Sequence, residues 1–232
     1  MEQLVQNIAK VRSQIEQAAK AAGRNPDEIT LVAATKTQSA DTVRAAIAAG
    51  IAVCGENRVQ ELTEKQSQNA YEGAHVHFIG HLQRNKVKQV VGKVDLIESV
   101  DSEALLRRID EQAMALHIRQ DILLEVNIGG EASKSGVSPK ELHALLAVAD
   151  TLPHVHVLGL MAIPPIATFP GENRQFFRQM HQLFVDIKGK TYDNNNIRYL
   201  SMGMSGDFTD AIAEGANLVR IGTALFGPRT VQ

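Results

Sequence analysis

The chain has 232 residues, 24 of them basic and 26 acidic, for a formal charge of -2, with 44% hydrophobic and 22% charged residues. This composition matches folded soluble domains and excludes a disordered tail or a collagen-like fibre, neither of which can bury a core. Balanced charge leaves no electrostatic footprint for nucleic acid or an anionic membrane, and a lone cysteine, Cys54, excludes an internal disulfide and a thiolate zinc site.

Leu4, Ile8, Val11, Ile15, Ala18 and Ala22 recur at spacings of three and four, which predicts one helix over residues 1–23, closed by Gly23 and Pro26. The same segment lacks the apolar block of a signal peptide, and the weakly polar run from Ala45 to Gly55 is too short to span a bilayer. A soluble, cytoplasmic protein is expected, with Cys54 a small buried apolar residue. At Ile29 the period changes. The continuous run Ile29-Thr-Leu-Val-Ala-Ala-Thr35 fits a strand buried on both faces, as in parallel sheets.

Similar runs centre near Leu31, Val53, His77, Ile97, Leu124, Leu158, Leu200 and Arg220, at spacings of 22, 24, 20, 27, 34, 42 and 20 residues. Every interval is long enough for a parallel crossover. Each contains a helix-period segment, for example Asp41 to Ala49, Arg84 to Val91 and Ser102 to His117. Ser138-Pro139-Lys140-Glu141 carries the cap, first-turn proline and capping-box glutamate of a helix start. Eight βα units over residues 29–227 after an extra N-terminal helix predict a (β/α)8 TIM barrel filling 1–232 as a single domain. An open doubly wound sheet shows the same alternation, so the choice rests on strand count. The Gly- and Pro-rich loops 129–136 and 164–171 follow strands five and six, on the face where barrel active sites form. Asp193-Asn-Asn-Asn196 leads into a strand and belongs to the opposite face.

Lys36 closes an apolar strand beside the small residues Ala33, Ala34 and Thr35. Burial there would favour its neutral amine, the form that condenses with an aldehyde, although a strand-end lysine also simply snorkels into solvent. After strands seven and eight come two glycine-containing turns, Leu200-Ser-Met-Gly-Met-Ser205 and Arg220-Ile-Gly-Thr223. In many barrels these turns hold a phosphate with backbone N–H groups. Asp207 and Asp210 fall in the first turn of the helix after strand seven and would repel an anion, so the phosphate is expected on Ser201, Gly222 and Thr223. Alternation puts Arg220 on the side of Gly222. Its expected partner is either the ring nitrogen of a bound pyridoxal phosphate or a carboxylate such as Glu56, Glu125 or another strand-end acid.

A lysine, a phosphate cup and an arginine together specify pyridoxal phosphate better than any one of them. The stretches Ala33-Ala-Thr-Lys36, Gly55-Glu-Asn-Arg-Val-Gln-Glu61, Phe78-Ile-Gly-His-Leu-Gln-Arg-Asn-Lys86, Gly159-Leu-Met-Ala-Ile163, Leu200-Ser-Met-Gly-Met-Ser205 and Val219-Arg-Ile-Gly-Thr-Ala-Leu-Phe-Gly227 run from the first strand to the last. On these stretches the chain resembles the pyridoxal phosphate homeostasis protein family, whose barrel is like the alanine racemase N-terminal domain. The resemblance implies that Lys36 forms the internal aldimine. It also implies that Ser201, Gly222 and Thr223 hold the phosphate, that Arg220 faces the pyridine nitrogen, and that Asn57 lies beside the cofactor. Arg58 departs from the tyrosine often found at that position, which bears on the pocket rim.

The family is known for vitamin B6 balance, with no settled reaction, so the first expectation is a non-enzymatic pyridoxal 5'-phosphate carrier. Its partners would be the cofactor and apo PLP-dependent enzymes, and a monomer is expected. An amino-acid racemase is the alternative, with a lysine Schiff-base aldolase behind it. Racemisation needs a second base, usually a tyrosine from a further domain. The tyrosines here are Tyr71, Tyr192 and Tyr199, and the nine elements are expected to use the chain up to Gln232. His75 with His77, and His154 with His156, alternate onto strand faces, but no third ligand has metal-site spacing. His81 is placed to line the pocket, and Arg84 to Lys88 reads as a solvated basic face.

Overall fold

In a computed structural model, which describes residues 2–189 and 195–228, eight parallel strands close into a barrel in chain order. They are β1 (Thr30–Ala34), β2 (Val53–Glu56), β3 (His75–Phe78), β4 (Leu96–Val100), β5 (Gln120–Glu125), β6 (Val155–Met161), β7 (Asn195–Ser201) and β8 (Leu218–Ile221). The helices are α1 (Glu2–Ala21), α2 (Ala40–Ala48), α3 (Val59–Ser67), α4 (Glu103–Ala115), α5 (Leu142–Asp150), α6 (Arg174–Lys188), α7 (Phe208–Ala213) and α8 (Thr223–Phe226). The barrel and its extra N-terminal helix are therefore as the hydrophobic pattern predicts. None of the described helices is long and apolar enough to cross a membrane.

Alternation along each strand separates two kinds of interior. Outward residues such as Ala33, Cys54, Phe78, Ile97, Leu124 and Leu200 join the main core beneath the helices. Inward residues form two small apolar clusters, one around Val32, Val53, Ile79 and Leu218, the other around Leu96, Leu123, Leu158 and Met161. Burial on both faces is why the strands read as unbroken apolar runs. Helix α1 buries Ile8, Val11, Ile15 and Ala19. Just beyond its end Arg24 donates to Ile212 O (2.8 Å) and Ala216 O (2.7 Å), satisfying carbonyls at the end of α7. Cys54 is buried, and burial with the nearby Glu56 charge pushes its thiol up to about 12.

Two local expectations shift. The capping-box residues do pair, with Ser138 N–H and Oγ both donating to Glu141 Oε2 (3.0 and 2.7 Å). They close a separate turn, however, and α5 starts only at Leu142, because Val137 is drawn into a bridge with Val126 and donates to Glu125 O (2.9 Å). Between β3 and β4 the helical period is met by a 3-10 helix, Arg84–Gln89, which buries only Val87 and leaves its basic side chains largely outside. Of the polar run after α6, residues 193 and 194 lie outside the described residues, as does Tyr192; its last two residues open β7.

Pairing shifts register on both sides of β6 near Gly159. This glycine has φ +154°, and a Cβ there would sit 1.8 Å from Tyr199 O. Only a residue without a side chain lets β6 and β7 close the barrel at that point. Gly159→Ala is expected to destabilise the fold by about 3 kcal/mol or more, read from denaturant unfolding.

Candidate functional site

The C-terminal ends of the strands surround a cavity of about 300 Å³, lined by Lys36, Asn57, Ser205, Arg220, Gly222 and Thr223, with Ala34, Ile79, Ile163, Met204 and Phe226 as apolar walls. Five of the six residues expected from sequence meet there. Strand geometry explains the convergence. In β1, Val32 and Ala34 point inward, and Thr35 just after it points outward, so Lys36 emerges at the top of the inner face. Asn57 follows β2 and is packed against Gly80, where an added Cβ would come within 2.1 Å of Asn57 O. Asn57 Oδ1 is buried without a hydrogen-bond partner.

The turn after β8 leads straight into the four residues of α8, so its first amides point toward the cavity. Gly222 N and Ala224 N both donate to Ser205 Oγ, at 3.3 and 3.2 Å. That hydroxyl occupies the place an anionic oxygen would take on these donors. Ser201 is elsewhere. It is fully buried below the cavity, where Oγ donates to Glu98 Oε2 (2.6 Å) and accepts a short hydrogen bond from Arg220 Nη1. Both roles of its hydroxyl are thus taken up inside the barrel, and the hydroxyl that faces the amide turn belongs to Ser205, four residues on. Asp207 precedes α7 and spends its carboxylate on Met204 N and Asn173 Nδ2 (both 2.8 Å).

Arg220 is 4% exposed, so its guanidinium needs partners within the barrel. It donates to Ala162 O (2.9 Å) and Ser201, and lies 3.7 Å from Glu98 Oε2. The other Glu98 oxygen meets His77 Nδ1 at 2.7 Å. Burial alone would push Glu98 up, but the bond and charge of His77, with Arg220 and Ser201, hold it below the usual carboxylate range. Arg220 itself is pulled down by burial, opposed by Glu98, Glu125 and Asp207. Its ion-pair partner is therefore the mid-strand Glu98, not Glu56. Glu56 points to the outer face of the barrel, where Oε1 accepts from Thr35 Oγ1 (2.6 Å), Lys65 Nζ (2.6 Å) and the Tyr71 hydroxyl (2.9 Å). At the end of β5, burial and the Asp101 charge push Glu125 up to about 7, with Arg220 opposing.

The remaining candidates lie outside the cavity. His81 is exposed in a neighbouring depression, its Nδ1 3.2 Å from Asp101 Oδ2 and 3.1 Å from Ser135 Oγ. Arg58 is exposed, 3.8 Å from Glu61. His75, His77 and His156 each pair with a carboxylate from a neighbouring strand segment (Asp95 at 3.1 Å, Glu98 at 2.7 Å, Asp121 at 2.9 Å), and His154 lies 3.7 Å from Asp110. Among the described residues, no group of side chains is arranged to hold a metal. Sequence pattern does not single out Glu98 or Ser205. The available signal for Glu98 is a charge inside the fully buried run Leu96–Val100.

Removing Glu98 strands a buried cation, so Glu98→Ala is expected to cost about 3–5 kcal/mol in denaturant unfolding. Glu125 gives the opposite pH signature to an ordinary carboxylate. An acid raised from 4.5 to about 7 on folding contributes its stability below the unfolded value and loses it as pH climbs through 7. Stability of the protein should therefore fall by roughly 3 kcal/mol from about pH 5 to about pH 8, and Glu125→Gln should flatten that slope.

The family model described as alanine racemase, N-terminal domain, matches residues 6–230. The pyridoxal phosphate homeostasis protein of Aquifex aeolicus is 43% identical over 97% of both chains, and that of Pseudomonas aeruginosa is 42% identical over 99% of this chain and 97% of its own. PipY of Synechococcus elongatus has been solved with PLP bound and without it. The bound structure covers 97% of this chain and 100% of PipY at 34% identity, with a TM-score of 0.84; the PLP-free one gives 0.86 at 35% identity and the same coverage. An alanine racemase of Clostridium difficile 630 is 13% identical, with a TM-score of 0.72 over 100% of this chain and 57% of that one, a likeness of fold alone. The chain belongs to the pyridoxal phosphate homeostasis protein family, built on the alanine racemase N-terminal barrel.

Proposed function

We propose that this chain binds pyridoxal 5'-phosphate in the cavity above Arg220 and takes part in intracellular vitamin B6 balance, holding the cofactor through Lys36 rather than catalysing a reaction of its own. The observation that carries this reading is the meeting of Lys36, Arg220 and the Gly222–Ala224 amides around one cavity of about 300 Å³. The donor set fits the cofactor's three kinds of polar group: an aldehyde for an amine, a phosphate for backbone amides, and a ring nitrogen for a hydrogen-bond donor. The buried, unpartnered Asn57 Oδ1 adds an acceptor that gains a partner when a donor enters.

When bound, the cofactor supplies an electrophilic aldehyde and an electron-withdrawing ring. Lys36 would hold the cofactor by supplying the amine that condenses with that aldehyde, with loss of water. Gly222 N, Ala224 N, Ser205 and Thr223 hold the phosphate end. Ser201, expected in that role, instead acts from below by fixing the Arg220 guanidinium. A guanidinium stays protonated, so Arg220 can donate to a ring nitrogen without giving up a proton, and the ring remains a weak electron sink. This favours holding over carbanion chemistry. A racemase also needs a second base over the cavity, and the two described tyrosines are away from it. Tyr71 is bonded to Glu56 on the outer face, and Tyr199 lines the opposite end of the barrel. On this reading the recipients are apo PLP-dependent enzymes, and the carrier acts as a monomer.

Full-length protein incubated with pyridoxal phosphate should turn yellow, and borohydride should bleach it and fix the cofactor's mass on the peptide containing Lys36. Lys36→Ala should do neither. A colourless protein that takes up no cofactor overturns the proposal; sustained turnover of L-alanine, abolished in Lys36→Ala, replaces it with the racemase reading.

A further inference from the structure

The segment carrying Lys36 is held on both sides by one helix. On the N-terminal side, Thr35 O accepts from Lys65 Nζ at 2.8 Å, and Thr35 Oγ1 donates to Glu56 Oε1 at 2.6 Å. Lys65 is only 5% exposed and pairs with that same Glu56 oxygen at 2.6 Å. On the C-terminal side, Thr37 N donates to Glu61 Oε2 at 2.6 Å. Glu61 and Lys65 are one turn apart on α3, 3.7 Å from each other. The two residues flanking Lys36 are thus tied to the same short stretch of helix.

Thr37 is also in a conformation that its side chain opposes. Its φ is +65°, the left-handed region, which a β-branched residue rarely enters. Such a residue stays there only when its surroundings over-determine it. Here they do so through the charge-assisted bond that the Thr37 amide donates to Glu61, while the Thr35 carbonyl is fixed by Lys65 and by Gln38 N (3.0 Å). Releasing Glu61 lets Thr37 relax to negative φ and turns the peptide that follows Lys36. The geometry points to Glu61, acting with Lys65, as a positioning residue that holds the Lys36 amine over the cavity and sets how fast it forms and releases its linkage to an aldehyde. This deepens the proposed role of Lys36 and rests on it for the identity of the aldehyde. Glu61 does not line the cavity, so it acts through the turn.

The test compares wild type, Glu61→Ala, Glu61→Gln and the double variant Glu61→Ala/Thr37→Gly, each checked for native circular dichroism. The first readout needs no cofactor: reductive methylation by formaldehyde and cyanoborohydride, followed lysine by lysine by peptide mass spectrometry. Loss of the bond in Glu61→Ala should slow labelling of Lys36 by about tenfold, while the exposed Lys10 and Lys20 are unchanged. Glu61→Gln keeps an acceptor oxygen for the Thr37 amide and should stay within about twofold of wild type. Glycine accepts positive φ without strain, so the double variant should recover at least half of the loss. The second readout is transfer of preloaded pyridoxal phosphate to an excess of free aminooxy acceptor, which Glu61→Ala should change by a similar factor. Lys36 labelling in Glu61→Ala within twofold of wild type overturns the inference, as does an equal slowing at every lysine. If wild type takes up no pyridoxal phosphate, the proposed function falls, and the methylation series still decides the role of Glu61.

Discussion

A guanidinium enclosed by eight strands imposes its requirements on much of the barrel interior. Arg220 sits where inward residues of β8 face the cavity floor, and its burial is tolerable only because β4, β7 and the end of β6 each supply an acceptor. Glu98 must stay ionised to serve, and it does so by dividing its two oxygens between His77 on one side and Ser201 with Arg220 on the other. A polar chain therefore runs from His77 through Glu98 to Ser201 and Arg220 inside the barrel. The cavity floor is stiff for this reason: a donor fixed by three partners presents its remaining N–H groups in one direction.

What could be read from sequence follows the range of the interaction involved. Strand order and the positions of Lys36 and the turn at Gly222 are set by period-two alternation and by short connections, so apolar runs suffice to place them, whereas Asn57 comes from the family resemblance alone. The partner of Arg220 is different in kind. Glu98 and Ser201 are 103 residues apart and meet only because the barrel closes, so nothing local distinguishes Glu98 from a surface charge except the burial of its neighbours. The choice between Ser201 and Ser205 depends on which way a five-residue turn folds back, and here it buries the first hydroxyl and exposes the second to the amides of Gly222 and Ala224. The delayed start of α5 has the same origin: a strand-like bridge at Val137 competes for residues whose local pattern is helical.

The two faces of the β2 strand show how a single tetrapeptide serves two interiors. Gly55 is inward, where any Cβ would meet Ile79 and Val32 at 2.8 and 2.9 Å. Glu56 is outward, a buried carboxylate bound to Lys65, Thr35 and Tyr71. The apolar wall of the cavity and the polar anchoring of its lysine are thus adjacent along the chain yet on opposite sides of the sheet, so each can be perturbed without passing directly through the other.

Ser205 gives the amide turn a resting state. With its hydroxyl accepting from Gly222 N and Ala224 N, the donors proposed for an anion already have a partner within the chain. On the proposed function, filling the cradle would exchange one acceptor for another instead of satisfying orphaned groups. On the same reading, this would narrow the free-energy gap between loaded and unloaded forms at the phosphate end and leave retention to the linkage proposed at Lys36.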